Sequence, residues 1–160
     1  RTSLPVPKGV ERIDVLSAED MYNAAVREWE NADGGVMCAA VADYTPVNVA
    51  DRKLKKSDDD MRIELKRTKD IAKELGATKG NRVLVGFALE SDAGVESAQS
   101  KLTRKNLDFI VLNSLTDSGA GFGVDTNIIT VITKDSHVEL PLQSKESAAN
   151  TIIDHALKLL

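Results

Sequence analysis

Asp43 directly follows an apolar run of small residues, and three lysines come ten to thirteen residues after it. The run is Val36-Met-Cys-Ala-Ala-Val-Ala42, and the lysines are Lys53, Lys55 and Lys56. Such a run is typical of a buried strand in a parallel sheet, and ligands of open α/β sheets lie at the carboxyl ends of the strands. There an acid can bind a ribose hydroxyl and a lysine can meet a phosphate. The pattern fits a nucleotide site, and it also fits a tightly packed strand beside a solvated basic patch.

Two further lysines and one aromatic residue are candidates for the same site. Lys101 and Lys105 are four residues apart and therefore share one face of a predicted helix. They could hold an anion above the sheet or form an ordinary solvated face. Phe87 follows a glycine in an apolar segment and could stack on a base or pack in the core. Taken alone, each of these patterns favours the structural role.

Other familiar motifs are absent or incomplete. Gly119-Ala-Gly-Phe-Gly123 is not a dinucleotide fingerprint, because Val124 stands where the third glycine is needed and a strand follows. It predicts a loop with positive φ angles. His137 and His155 have no metal-ligating neighbours in sequence, and Cys38 is predicted to be a small buried residue rather than a nucleophile. No protein metal site is predicted.

The composition is that of one soluble domain. The chain has 160 residues, of which 42% are hydrophobic and 29% charged, with a net charge of −4. These values disfavour disorder and a general nucleic-acid surface, and no apolar run is long enough to span a bilayer. The single cysteine favours a reducing cytoplasm. Residues 1–9 have a loop composition with no starting Met, so we expect the later part of a longer chain.

The hydrophobic pattern alternates between strands and helices. Ser17 is a suitable N-cap, because Asp20 three residues later completes an analogue of the capping box. Met21, Ala25 and Trp29 follow at helical spacing, so they are expected on the buried side. Strands are predicted at 10–15, 36–42, 61–65, 82–89 and 107–113, helices at 18–32, 68–75 (closed by Gly76), 94–105 and 147–160, and a hairpin at 128–133 and 138–140. This order implies a largely parallel α/β sheet with an antiparallel edge.

Taken together, the motifs resemble the phosphopantothenate–cysteine ligase family, especially the synthetase half of the bacterial bifunctional flavoprotein of coenzyme A biosynthesis. The matching segments are 39–46, 53–56, 69–71, 85–90 and 101–113, in this order over nearly the whole chain. The resemblance implies a Rossmann-like three-layer α/β fold, with a mostly parallel sheet and an antiparallel edge hairpin. It also implies that residues 1–160 are one domain, the C-terminal part of the ligase domain without its N-terminal strand, glycine loop and helix.

The implied activity is the CTP-dependent ligation of 4′-phosphopantothenate with cysteine through an acyl-cytidylate. Mg²⁺ is expected with the CTP, and FMN only in the decarboxylase domain of the parent. A cytoplasmic homodimer is implied, with the strand at 61–65 as a candidate contact. The alternative is a nucleotide-binding or dimerisation module without chemistry of its own. An NAD dehydrogenase is disfavoured because the glycine fingerprint is missing.

The resemblance also assigns roles to residues. Lys53 would be the catalytic residue and would reach the triphosphate. The family often has Pro at the position of Lys69, so the rigidity of that turn differs here. The expected nucleotide-binding residues are Met37, Cys38, Ala39, Asp43, Lys53, Lys69, Asp70, Ile71, Ala72, Phe87, Lys101 and Lys105.

Overall fold

The structure, a computed structural model, describes residues 2–55, 60–90, 94–114 and 123–160. Within these ranges the chain alternates between helices and strands. The elements are α1 (Ala18–Trp29), β1 (Gly34–Met37), β2 (Tyr44–Pro46), β3 (Leu65–Arg67), α2 (Ile71–Ala77), β4 (Val83–Glu90), α3 (Gly94–Arg104), β5 (Phe109–Ser114), β6 (Thr126–Ile132), β7 (His137–Ser144) and α4 (Lys145–Leu157).

Five strands form one mixed sheet in the order β1-β4-β5-β6-β7, and β2 and β3 form a separate antiparallel pair. Strand β4 runs parallel to both β1 and β5, whereas β6 is antiparallel to β5 and β7. Helices α1, α2 and α3 pack on one face of the sheet and α4 packs on the other. The predicted three-layer α/β class with an antiparallel hairpin at the sheet edge is confirmed.

The central strands β4 and β5 are buried on both faces. Leu84 and Ile110 face the layer of α1, α2 and α3, while Val85 and Phe109 face α4, and none of the four is more than 1% exposed. Because both faces are covered, these strands are continuous apolar runs in the sequence rather than alternating ones.

The predicted strand at 10–15 is wrong. Among the described residues this segment pairs with no strand, and Val10 and Ile13 are 56% and 41% exposed. A strand is stable only when a neighbour satisfies its backbone groups and its apolar face is covered. The first regular element is therefore α1. Its predicted capping is confirmed, since Ser17 and Asp20 each accept a hydrogen bond from the other's backbone N–H at 3.0 Å.

Helix α2 begins later and ends later than predicted. Asp70 is its N-cap and accepts a hydrogen bond from the backbone N–H of Lys73 at 3.1 Å. Gly76 does not close the helix but lies inside it, and Thr78 is the C-cap. A Cβ at Gly76 would lie 1.9 Å from the carbonyl oxygen of Lys105, so glycine is required there by close packing rather than by a turn.

The strand boundaries near the loops also differ. Strand β1 ends at Met37 instead of residue 42, because the chain turns and the N–H of Val41 bonds to the carbonyl of Ala39 at 3.1 Å. Strand β3 starts where the predicted strand at 61–65 would end. The glycine-rich loop lies mostly outside the described residues, but Gly123 has φ +75°, as expected for such a loop.

Asp108 joins the start of β4 to the start of β5. Its carboxylate accepts a hydrogen bond from the N–H of Leu84 at 2.7 Å and pairs with Lys79, also at 2.7 Å. The Lys79 side chain is only 12% exposed, so removing Asp108 leaves a largely buried ammonium group without its partner. We expect Asp108→Ala to lower the free energy of unfolding by about 1–3 kcal/mol, measured by denaturant titration. Asp14→Asn is the control, because its ion pair with Arg12 is exposed, and equal losses in the two variants would contradict the expectation.

Candidate functional site

A cleft of about 390 Å³ opens beyond the carboxyl end of β1. Its walls come from α1, the segment after β1, the start of α2, the middle of β4 and the last turn of α3. Eleven of the twelve residues predicted for the nucleotide site line it: Met37, Cys38, Ala39, Asp43, Lys69, Asp70, Ile71, Ala72, Phe87, Lys101 and Lys105. Residues that are far apart in sequence thus meet at one place, where parallel α/β sheets bind ligands.

Lys53 is the predicted site residue that the structure does not bring to the cleft. It is exposed and absent from the cleft lining, as is Lys55, whereas Lys56 lies outside the described residues. Lys53 follows β2, and the described residues between β2 and β3 form neither a strand nor a helix. The predicted catalytic lysine is therefore not part of the cleft lining that contains the predicted binding residues.

The wall that follows β1 is open to solvent. Cys38 is exposed, so the prediction that it is buried is wrong. The reason is that the strand ends at Met37, one residue earlier, and the chain then leaves the sheet. Phe87 in β4 is half-buried and packs against the core on the α4 side while also lining the cleft.

Lys69 holds α1 and the start of α2 together at the cleft. Its Nζ is 2.7 Å from Oε1 of Glu19 and 4.3 Å from the centre of the Tyr22 ring. The hydrogen bond to Glu19 raises the pKa of Lys69. The ammonium group is thus engaged by α1, although the residue lines the cleft.

Asp70 and Lys105 form an ion pair at 3.0 Å across the cleft wall, between the start of α2 and the end of α3. Burial alone raises the pKa of Asp70, but the hydrogen bonds from Lys105 and from the Lys73 N–H outweigh burial and leave this pKa below its ordinary value. Asp70 is therefore ionised at neutral pH, and its contribution to stability is lost as the pH falls through the folded-state pKa. Lys101 in the last turn of α3 and Lys105 just after this helix both line the cleft. Their spacing alone predicted a shared helix face, and the family resemblance implied their place in the pocket.

Sequence reasoning missed part of the lining. Met21 and Ala25 were assigned only to the buried side of α1, and they form the apolar wall of the cleft. Gly86 also lines the cleft, and a Cβ there would lie 2.5 Å from Cδ1 of Leu107, so a larger residue would displace that side chain. Thr68 also lines the cleft, and no motif distinguished it in the sequence.

The described ranges form neither a cluster of metal-ligating side chains nor a membrane-spanning helix. No three His, Cys, Asp or Glu side chains in these ranges are grouped as a metal site requires. No helix in them has the length and apolar character needed to cross a bilayer.

Known proteins resemble this chain over nearly its whole length. Residues 1–160 match the DNA/pantothenate metabolism flavoprotein C-terminal domain. The chain is 48% identical over 159 residues to the coenzyme A biosynthesis bifunctional protein CoaBC of Bacillus subtilis, covering 98% of this chain and 39% of that protein. It is 47% identical over 161 residues to a cysteine/cysteine sulfinic acid decarboxylase of an unknown prokaryotic organism, covering 99% of this chain and 45% of that protein.

A solved structure has the same fold. The crystal structure of the C-terminal domain of CoaBC superposes with a TM-score of 0.80 at 39% identity, covering 99% of this chain and 72% of that one. The DNA/pantothenate metabolism flavoprotein of Streptococcus pneumoniae, at 19% identity and a TM-score of 0.74 over 91% of this chain and 72% of that one, shares the fold.

The fold and the cleft define a three-layer α/β domain with a ligand-sized cavity beyond a parallel strand. The chain belongs to the DNA/pantothenate metabolism flavoprotein C-terminal domain family. The resemblance predicted from the motifs is confirmed at this level. The chain spans 39–45% of the length of the two curated relatives described above.

Proposed function

We propose that this chain is the CTP-binding part of a phosphopantothenate–cysteine ligase. The observation that carries the proposal is the convergence of eleven predicted nucleotide-binding residues on one cleft. Its cations Lys101 and Lys105 suit a polyphosphate, and its apolar walls suit a base. The similarity to CoaBC supports the same assignment.

The proposed reaction has two steps. A carboxylate oxygen of 4′-phosphopantothenate attacks the α-phosphorus of CTP, and the bond to the leaving pyrophosphate breaks. The cysteine amine then attacks the acyl carbon of the acyl-cytidylate, the bond to CMP breaks, and the amine loses a proton. Both steps move negative charge onto phosphate oxygens, so fixed cations accelerate them without a protein nucleophile.

In this proposal, the residues divide into a base and ribose end and a phosphate end. Met37, Cys38, Ala39 and Asp43 border the base and ribose, and Lys101 and Lys105 face the phosphates. Lys53 reaches the triphosphate only when its segment folds toward the cleft.

The cleft fits an Mg²⁺ ion that arrives with the nucleotide. It offers two carboxylates, Asp43 and Asp70, which is fewer than a protein cage for the ion requires but suits an ion carried mainly on phosphates. Bound there, Mg²⁺ would neutralise phosphate charge. FMN belongs in this proposal to another domain of a longer protein, which acts in the cytoplasm.

One observation favours the alternative, a nucleotide-binding or dimerisation module without chemistry. Lys53, the residue assigned to catalysis, does not line the cleft. Calorimetry on the full-length protein that carries this chain separates the possibilities, with CTP, ATP and NAD as ligands. Preference for CTP together with ligation supports the ligase, and CTP binding without ligation supports a nucleotide-binding module. No binding of any nucleotide contradicts the ligase and favours a purely structural role, such as dimerisation.

Cys38 offers a direct test of where the nucleotide binds. It is the single cysteine of the chain, it is exposed, and it lines the cleft. When CTP is present at 100 times its own dissociation constant, we expect the alkylation of Cys38 by iodoacetamide to be slower by at least about tenfold. The reason is that the bound nucleotide prevents the reagent from reaching the cleft. Mass spectrometry of the peptide containing Cys38 measures the rate. An unchanged rate at saturating CTP would place the nucleotide elsewhere.

We further propose that the protein is a homodimer, with the β2–β3 arm as the contact. Tyr44 in β2 and Leu65 in β3 are 51% and 53% exposed, and Ile63, two residues before β3, is 62% exposed. Exposed apolar strands tend to pair. Leu65→Glu is expected to convert the dimer to a monomer in sedimentation velocity. Leu4→Glu is the control, because Leu4 is 70% exposed but lies outside the arm. A wild-type monomer at high concentration would contradict the proposal.

A further inference from the structure

Thr68 connects two walls of the cleft through its backbone and its side chain. Its N–H donates to the carbonyl of Asp43 at 2.9 Å, and its hydroxyl Oγ1 donates to the carbonyl of Ala42 at 2.6 Å. The antiparallel pairing of β2 with β3 ends at Tyr44 opposite Arg67. Thr68 therefore extends this pairing by one residue and adds a side-chain bond beyond it.

In the segment that Thr68 holds, Val41 is half-buried and packs against the core, and the residues around it are exposed. Ala39, Ala40, Ala42 and Asp43 are all exposed, and β1 has already ended at Met37. Packing therefore acts on this segment mainly through Val41, and hydrogen bonds have a larger part at the exposed Ala42 and Asp43. Thr68 is itself half-buried and lines the cleft beside Asp43.

The two residues after Thr68 fix its own position. Lys69 pairs with Glu19 on α1, and Asp70 caps α2 and pairs with Lys105 at the end of α3. Thr68, Lys69 and Asp70 thus contact three different walls of the cleft, namely the Asp43 segment, α1 and the end of α3. Thr68 is connected to the three helices through its two neighbours, and to the exposed Asp43 segment through its own hydrogen bonds.

We propose that Thr68 is a positioning residue, which holds the peptide of Ala42 and Asp43 so that the Asp43 carboxylate stays at the nucleotide cleft. The proposal rests on the function proposed above. The hydroxyl is the essential part, because the hydrogen bond to Ala42 is the one that a backbone alone could not make. Serine at this position preserves that bond, whereas valine keeps the shape and removes the donor.

The expected effect is on binding more than on folding. Ala42 is exposed, so water can satisfy its carbonyl in Thr68→Val and the melting temperature should change little. We expect Thr68→Val to raise the KM for CTP about three- to tenfold, the equivalent of one net hydrogen bond, with kcat within about twofold. Thr68→Ser should stay within about twofold of wild type in both constants, because its hydroxyl restores the bond.

The test uses the full-length protein and a matched control. Thr151→Val removes another threonine hydroxyl that donates to a backbone carbonyl, that of Ser147 at 3.0 Å in α4, outside the cleft. It should leave the KM for CTP unchanged. An unchanged KM in Thr68→Val, or an equal rise in Thr151→Val, overturns the proposal, and so does a failure of serine to restore the KM.

Hydrogen exchange gives a second measurement that needs no nucleotide. In Thr68→Val the amides of Val41 and of residue 68, which donate to the carbonyls of Ala39 and Asp43, should exchange faster than in wild type, and in Thr68→Ser they should not. Unchanged exchange overturns the positioning role whatever the enzyme does. If the wild type neither binds nor turns over CTP, the proposed function fails, while the exchange measurement still decides whether Thr68 holds the segment.

Discussion

Replacing Lys53 with glutamine is expected to lower kcat for ligation by about 100- to 1,000-fold, the usual effect of removing one group that stabilises developing charge. The substitution keeps the length and polarity of the side chain but removes its charge. The dissociation constant for CTP should change far less, because the eleven residues that line the cleft remain in place. A loss in kcat with nearly unchanged CTP binding is typical of an interaction made mainly in the transition state.

Lys55→Gln is the matched control for this prediction. Lys55 is two residues away on the same segment and is equally exposed, so it shares the general electrostatic field but not the assigned role. Steady-state ligation and single-turnover release of pyrophosphate from CTP should distinguish the two variants. Similar rates for Lys53→Gln and Lys55→Gln would show that neither lysine acts specifically, and the function of the chain would then shift toward the module without chemistry.

The central sheet could be predicted from the sequence because its signals are local. The apolar runs at 82–89 and 107–113 are long, lack Pro and are bounded by polar residues, and they form β4 and β5 with only small shifts. The strand predicted at 10–15 failed for a non-local reason. It contains three β-branched apolar residues, but among the described residues no neighbouring strand supplies the hydrogen bonds that a strand needs.

The sequence could predict which residues belong to the site, but not which of them contact each other. Spacing showed that Lys101 and Lys105 share a helix face, and the family resemblance connected them to Asp43 and Phe87. Neither signal could reveal that Lys105 pairs with Asp70, or that Thr68 holds the Asp43 segment, because both contacts join residues more than twenty positions apart. Short side chains that bind exposed backbone carbonyls leave no periodic pattern in a sequence.

Gly76 is where local propensity and tertiary packing disagree most strongly. Alanine is about 1 kcal/mol more favourable than glycine inside a helix, so propensity alone predicts that Gly76→Ala stabilises α2. The structure predicts the opposite, because the new Cβ would lie 1.9 Å from the Lys105 carbonyl oxygen and 2.9 Å from its carbonyl carbon. These are backbone atoms, so they cannot rotate away as a side chain would. The ends of α2 and α3 would have to separate.

We expect Gly76→Ala to lower the free energy of unfolding by about 3 kcal/mol, as overpacked substitutions do. The melting temperature should fall by roughly 6–12 °C. Ala77→Gly, one position along the same helix, should lose only about 1 kcal/mol from propensity.

Because Lys105 lies at the displaced contact and its side chain lines the cleft, Gly76→Ala should also weaken CTP binding at temperatures where the protein is folded. Thermal unfolding and calorimetry on the full-length variants measure both effects. A gain in stability for Gly76→Ala would mean that α2 and α3 are not packed as closely as the structure has them, and the placement of Lys105 beside Asp70 would have to be abandoned with it.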